Sequence, residues 1–205
     1  MTEKGPLAAR AYHHGNLPEA LAMAAEDLVR ERGVHAFTLR ECARRAGVAH
    51  SAPGHHFGDV TGLLTEVAAR GFERLTQRML TERADATGPA ALSAIGRGYV
   101  GFALDDPAIF VLMFHSDRVD HGVERLRTAG LASYGVLRET VAAIEHAQDA
   151  DPGTLDFAWS AIHGLAMLLI DEALPVHAAA PAGDRTAAAE ATIARIVAAV
   201  TVHPR

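Results

Sequence analysis

Hydrophobic positions along this chain recur at three- and four-residue intervals and almost never alternate, so the pattern predicts helices throughout. Leu17, Leu21, Ala24, Leu28 and Val29 form the first stripe. It lies between Asn16-Leu-Pro-Glu19, which offers an N-cap, an early proline and a first-turn acid, and Gly33, which offers a stop. The spacing predicts a helix over 17–32. Thr38-Leu-Arg-Glu41 has the form of a capping box, in which hydroxyl and carboxylate satisfy each other's orphan backbone donors. It opens a short helix over 39–46 that Gly47 ends, and a third short segment covers 50–56. A long helix over 60–83 carries Leu63, Leu64, Val67, Phe72, Leu75 and Met79 on one side.

The second half is punctuated in the same way. Thr87-Gly-Pro89 marks a boundary before a helix over 90–104, and Asp106-Pro107 reads as an N-cap and first-turn proline for a helix over 107–114. A polar loop, Ser116 to Gly122, precedes a helix over 123–147. Asp151-Pro-Gly153 separates that helix from an apolar one over 154–173, and Asp184 caps a final Ala-rich helix over 185–201. No turn-flanked alternating stretch and no repeat interrupts the series. The expected fold is all-α.

Composition adds limits. A chain of 205 residues buries roughly 70% of its unfolded surface and needs no disulfide or structural metal to hold a core. Cys42 is the one cysteine, which rules out an internal disulfide and fits a reducing cytoplasm. Met1 to Arg10 is charged, with Gly-Pro and no apolar core, unlike a signal peptide. The apolar runs Ile109 to Phe114 and Leu165 to Ile170 are too short to span a bilayer, so no membrane partner is expected. Net charge is −6, but residues 1–57 hold seven basic side chains against six acidic ones. A net of +1 at the front and −7 behind permits a polyanion only at the front.

Three short helices, the second and third joined by a glycine turn, have the geometry of a helix-turn-helix. In Phe37-Thr-Leu-Arg-Glu-Cys-Ala-Arg-Arg-Ala-Gly-Val48, Ala43 is small where helices cross, Gly47 makes the turn and Val48 sits beneath it. Leu39, Cys42, Ala43 and Ala46 make one apolar face and leave Arg40, Arg44 and Arg45 outward. An ordinary helical hairpin fits the same features.

Here the chain resembles the tetracycline-repressor (TetR) family of dimeric regulators. The likeness runs through Tyr12-His-His-Gly-Asn-Leu17, Glu31-Arg-Gly33, the segment from Phe37 to Val48, Ser51-Ala-Pro53, His55-His-Phe57 and Leu63-Leu64. Trp159-Ser-Ala-Ile-His-Gly164 resembles a C-terminal domain found in one branch of the family. The resemblance implies a DNA-binding domain over 1–57 and an effector-binding and dimerisation domain over 58–205, linked by the helix at 60–83. It implies a near-palindromic operator, a small apolar or amphipathic effector, a homodimer and no cofactor. Two departures stand out. The family usually places an aromatic residue before the pair equivalent to His55-His56, and a lysine three residues after the motif's Phe. This chain has Gly54 and Val60 there, which removes two phosphate contacts and lowers the expected DNA affinity.

The candidates for DNA contact are Thr38, Arg40, Arg44, Arg45, His50, Ser51, Ala52, His55 and His56. Of these, His50, Ser51 and Ala52 open the recognition helix, where base edges are read. Thr38 reads equally as a plain N-cap, the arginines as solvated surface and His56 as core. The candidates for ligand contact are Met79, Tyr99, Phe102, Phe110, Met113, Phe114, Tyr134, Trp159 and His163, each of which also reads as plain core. Four residues apart, Trp159 and His163 share a helix face. His115, Asp117 and His121 share one loop, but nothing else has metal-ligand spacing and no metal is expected. Cys42 reads as an inert core thiol. The absence of a nucleophile elbow, phosphate loop or dinucleotide fingerprint argues against an enzyme. The apolar helix at 154–173 and the Ile193, Ile196, Val197, Val200 stripe of the last helix predict a four-helix dimer interface. The competing reading is a helical ligand-binding dimer that has lost specific DNA binding, with a helical enzyme more distant.

Overall fold

The computed structural model of the protein describes residues 16–174 and 185–202. Among the described residues there are helices and no strands: α1 (Leu17–Arg32), α2 (Leu39–Ala46), α3 (Ala52–Phe57), α4 (Val60–Arg83), α5 (Gly88–Asp105), α6 (Pro107–His115), α7 (Glu124–Ile144), α8 (Pro152–Ile170) and α9 (Arg185–Thr201). A 3₁₀ turn, Val34–Ala36, lies between α1 and α2 and has no signature in the hydrophobic spacing. Asp184, expected to cap α9, lies outside the described residues.

The caps show why the helices begin where they do. Asn16 Oδ1 accepts from the Glu19 N–H at 3.4 Å, Asp59 Oδ1 from Gly62 at 2.9 Å and Asp151 Oδ2 from Thr154 at 3.0 Å. Thr38 Oγ1 accepts from the Glu41 N–H at 3.3 Å, but only this half of the expected capping box forms. The Glu41 carboxylate turns to Arg44 instead, accepting from Nη2 at 2.6 Å and Nε at 2.8 Å. Asp106 makes no side-chain cap for α6, contrary to the sequence reading, because Arg30 claims its carboxylate at 2.8 Å.

α4 is the spine. It packs against α5, α7, α6 and α1, while α9 covers α5 and α8. Leu63, Leu64, Val67 and Leu75 on α4 are fully buried, as are Ile109, Phe110, Leu112 and Met113 on α6. Burying each such side chain is worth roughly 1.5–3 kcal/mol. α4 and α6 cross closely at Gly71, where an added Cβ would lie 2.5 Å from Met113 Sδ.

Ion pairs tie α1 to the spine and to the α5–α6 corner. Glu26, nearly buried, accepts from Arg74 at 3.0 Å and Arg30 at 3.2 Å, while Glu19 receives both Nη atoms of Arg70 at 2.8 Å. The α6–α7 loop makes a second tie. The Arg118 guanidinium donates to the backbone carbonyls of Val34 and Phe37, and the Asp120 N–H donates to Thr65 Oγ1 at 3.0 Å.

α8 has the length and hydropathy of a bilayer span, which the short continuous apolar runs concealed. One face of it packs into the core, with Leu155, Ala158, Ile162, Leu165, Ala166 and Leu169 buried. Its other face exposes Phe157 and Leu168, 49% and 44% accessible. The apolar stripe of α9 points inward, which corrects the sequence reading. Ile193 and Val200 are buried, Ile196 and Val197 line a cavity, and the outward face is Ala191, Ala194, Arg195, Ala198 and Ala199.

Candidate functional site

α2 and α3 form a helix pair around an αL turn at Gly47, where φ is +69° and an L side chain would be strained. Phe37, Cys42, Ala43 and Ala46 are buried against α1 and set the angle of the pair. The face turned to solvent carries Thr38, Arg40, Arg44, His50, Ser51, His55 and His56, with Arg45 partly covered. His56 is therefore surface, not core. Ala52 departs from its expected role: with Pro53 it is buried beneath α3, so its methyl faces the core and away from any base edge. His50 and Ser51 precede α3, which begins only at Ala52.

The arginines of this face are not equivalent. Arg44 is paired to Glu41, and Arg45 Nη1 donates to Glu31 at 2.7 Å. Arg44 holds the Glu41 carboxyl down at about 2, and Arg45 lowers that of Glu31. Arg40 is exposed and makes no ion pair among the described residues, so its charge is free for phosphate. Gly54 is exposed, and a Cβ there would meet nothing within 4 Å. Val60 is half-buried against the core at the start of α4, whose end is already occupied by the Asp59 carboxylate.

A cavity of about 700 Å³, counting the part open to solvent, lies between α4, α5, α6, α7, α8 and α9. Five of the nine sequence candidates line it: Met79, Tyr99, Phe114, Tyr134 and Trp159. Phe102, Phe110 and Met113 do not, because they are packed into the core around α6. His163 stands behind the wall and enters through its contacts. Sequence reasoning missed Phe72, Leu92, Ile95, Gly96, Gly130, Ser133, Leu137, Ala158, Ile162 and the α9 stripe. Their common signal is small or aliphatic residues facing aromatic ones across helices, which single-helix spacing does not reveal.

One corner of the cavity is polar. The Tyr99 hydroxyl lies 2.9 Å from His163 Nδ1. His163 Nε2 lies 3.3 Å from His115 Nε2, the two rings being stacked. Burial raises the Tyr99 phenol above its ordinary value. Burial first, and His115 second, lower the His163 imidazole below the usual histidine value. His115 is thus turned to His163, and among the described residues no group of three or more His, Cys, Asp or Glu side chains is placed to hold a metal.

Comparison with known proteins places both halves. Residues 22–67 match the sequence profile of bacterial regulatory proteins, tetR family, and residues 92–200 that of the tetracyclin repressor-like, C-terminal domain. A solved structure of a protein with unknown function from Rhodococcus sp. RHA1 is 31% identical, covering 91% of this chain and 98% of that one at a TM-score of 0.73. The transcriptional regulator FadR from Bacillus subtilis, solved in complex with stearoyl-CoA, is 15% identical over 90% of this chain and 99% of that one, with a TM-score of 0.65. An uncharacterized HTH-type transcriptional regulator, YobS, of Bacillus subtilis (strain 168) is 23% identical over 100 residues. That match spans 47% of this chain and about half of that protein's length, 52%.

Proposed function

The chain belongs to the TetR family of bacterial regulatory proteins, and on that premise we propose that it is a dimeric, ligand-responsive DNA-binding repressor. TetR-family proteins bind operator DNA and small effectors and are usually dimers. The observation that carries the proposal is the coexistence of an exposed helix-turn-helix face with an apolar cavity in one packed body. The intended division is a DNA-binding unit over 1–57 and an effector and dimerisation unit over 58–205, of the branch with the Trp159 to Gly164 stretch. Arg40, His50, Ser51 and His55 are assigned to DNA; Met79, Tyr99, Phe114, Tyr134 and Trp159 to the effector.

For the dimer, the supporting feature is the outward face of α8. Phe157, Ser160, Ala161, Gly164 and Leu168 recur at helical spacing beside the outward alanines of α9. Two large apolar side chains set among small ones suit close packing against a second copy. FadR shows that a relative of this fold is found with stearoyl-CoA; at 15% identity the effector of this chain must be read from its own cavity. As a family of cytoplasmic regulators, TetR proteins need no catalysis and no cofactor, and we assign none.

The test is a mobility shift with the chain's own upstream DNA. A dimer should retard a near-palindromic site, with affinity falling steeply as salt rises. Dimerisation should be lost in Phe157→Glu or Leu168→Glu, read by light scattering. Binding that is salt-sensitive but shows no preference for the upstream site would favour the second reading, a sensor without an operator. That reading draws on Gly54, Val60 and the internal pairing of Arg44 and Arg45.

A further inference from the structure

The polarity of the cavity wall narrows the effector to a chemical class. Among the described residues its lining contains no Lys, Arg, Asp, Glu or His, only apolar side chains with the hydroxyls of Tyr99, Ser133 and Tyr134 and the Trp159 indole. The basic groups near α4 and α5 are engaged outside it: Arg78 with Glu82 and Asp105, and Arg97 with Ser93 and Glu190. An anion entering this space would give up its hydration and find no counter-charge, the costly case for any buried ion.

The polar corner offers hydrogen bonds without charge. The Trp159 indole, also in the lining, can only donate. The contacts among Tyr99, His163 and His115 can be satisfied in two neutral arrangements. In one, the Tyr99 O–H donates to His163 Nδ1, and His163 Nε2–H donates to His115. In the other, His115 donates to His163, whose Nδ1–H donates to Tyr99, and the phenol proton is freed to point at a ligand. Among the described residues the groups facing His163 are Tyr99 from α5, Phe110, Phe114 and His115 from α6 and Trp159 from α8, with no carboxylate among them to hold an imidazolium. Shifting protons along this relay lets the corner donate or accept while staying uncharged.

We propose that the effector is an uncharged amphipathic molecule, an apolar body bearing one hydroxyl or carbonyl oxygen, seated with that oxygen on Tyr99. The proposal rests on reading the cavity as the effector site, and it goes further by excluding carboxylates and phosphate-bearing ligands from the enclosed space.

The test uses 1-decanol and decanoate, which share a tail and differ in charge, on the full dimeric chain at pH 8. Trp159, the one tryptophan of the sequence, lines the cavity and reports binding by its fluorescence. Decanol is expected to give a saturable change and a higher melting temperature, with decanoate at least about 30-fold weaker. Tyr99→Phe should weaken decanol roughly three- to tenfold, the size of one neutral hydrogen bond, while the folded fraction holds. Decanoate binding as tightly as decanol would overturn the neutral class and leave the regulator reading standing. If neither compound moves Trp159 fluorescence or the melting temperature, the proposal fails together with the cavity's assignment, whereas operator binding is measured separately and can survive.

Discussion

Arg118 is where the cavity and the DNA-reading head are tied most directly. Phe114 lines the cavity near the end of α6. Two residues on, Ser116 Oγ accepts from the Arg118 N–H at 3.2 Å, and the Arg118 guanidinium grips the carbonyls of Val34 and Phe37 just before α2. Removing the guanidinium by Arg118→Ala deletes two charge-assisted bonds of a half-buried group. The Val34 carbonyl keeps its bond from the Phe37 N–H, at 3.2 Å, so the loss is nearer one such bond than two. That is about 2 kcal/mol, or a fall in melting temperature of about 4–8 °C for a chain of this length.

The functional consequence is larger than the stability cost. If the loop transmits displacement of α6 to the head, Arg118→Ala should bind operator with near-native affinity yet respond weakly to a cavity ligand. Allosteric couplings are commonly about 1–3 kcal/mol, a change of roughly 5- to 150-fold in affinity. Fluorescence anisotropy of a labelled operator duplex, with and without saturating 1-decanol, measures that ratio in the native chain and the variant. Spatial intermediacy alone does not establish coupling, so the decisive comparison is the double cycle of Arg118→Ala with ligand. A folded variant that releases operator as completely as the native chain would refute the loop's role and leave α4 as the route.

Three further outcomes follow from local chemistry. Gly54→Ala, in mid-α3 with open space around its Cα, should stabilise the chain by about 0.5–1 kcal/mol; Gly54→Tyr with Val60→Lys should additionally tighten operator binding on all DNA sequences, and an unchanged affinity and salt slope would show that the family's phosphate geometry does not apply. Cys42, fully buried with its thiol raised to about 11 by burial and its Sγ on the Leu21 carbonyl at 3.3 Å, should resist thiol reagents until the chain unfolds; rapid labelling of the folded protein would contradict its placement. The His163 imidazole sits below its unfolded value, so the unfolded chain takes up the proton first, and its contribution is complete above about pH 6.5. That contribution is lost as pH falls through the lower folded value, so His163→Phe should melt with a shallower pH slope between pH 7 and 5 than the native chain.

What the sequence revealed was chiefly local. The bounds of α1, α2 and α4 follow from caps, prolines and glycines whose partners lie within four residues, and the hydrophobic spacing needs no tertiary information to be read. The errors came where a distant residue outbid a near one. Asp106 has the position of an N-cap, but Arg30, on α1, offers a charged donor in place of a backbone N–H. Arg45 reads as free because Glu31 stands 14 positions away on another helix. The α9 stripe reads as a partner surface because periodicity shows that a helix has an apolar face but not which neighbour receives it.

The cavity shows the same limit most plainly. Side-chain bulk points to Tyr99, Phe114, Tyr134 and Trp159, but equally to Phe110 and Met113, which fill space instead of bounding it. Nothing in the size of a residue separates the two outcomes. Met113 becomes core because Gly71 on α4 admits its thioether into the helix crossing. Space survives where small residues, Gly96, Gly130 and Ala158, face rings that reach one another and go no further: Tyr99 lies 6.5 Å from Phe114, and Tyr134 6.4 Å from Trp159. Gly96 sets one limit of the cavity: a Cβ there would stand 3.2 Å from Ile193, which would have to give by a few tenths of an ångström, and 3.6 Å from Ile162, an ordinary contact. The site is therefore written in pairs of positions on different helices, a large residue opposite a small one. Such pairs become visible only once the helices are packed.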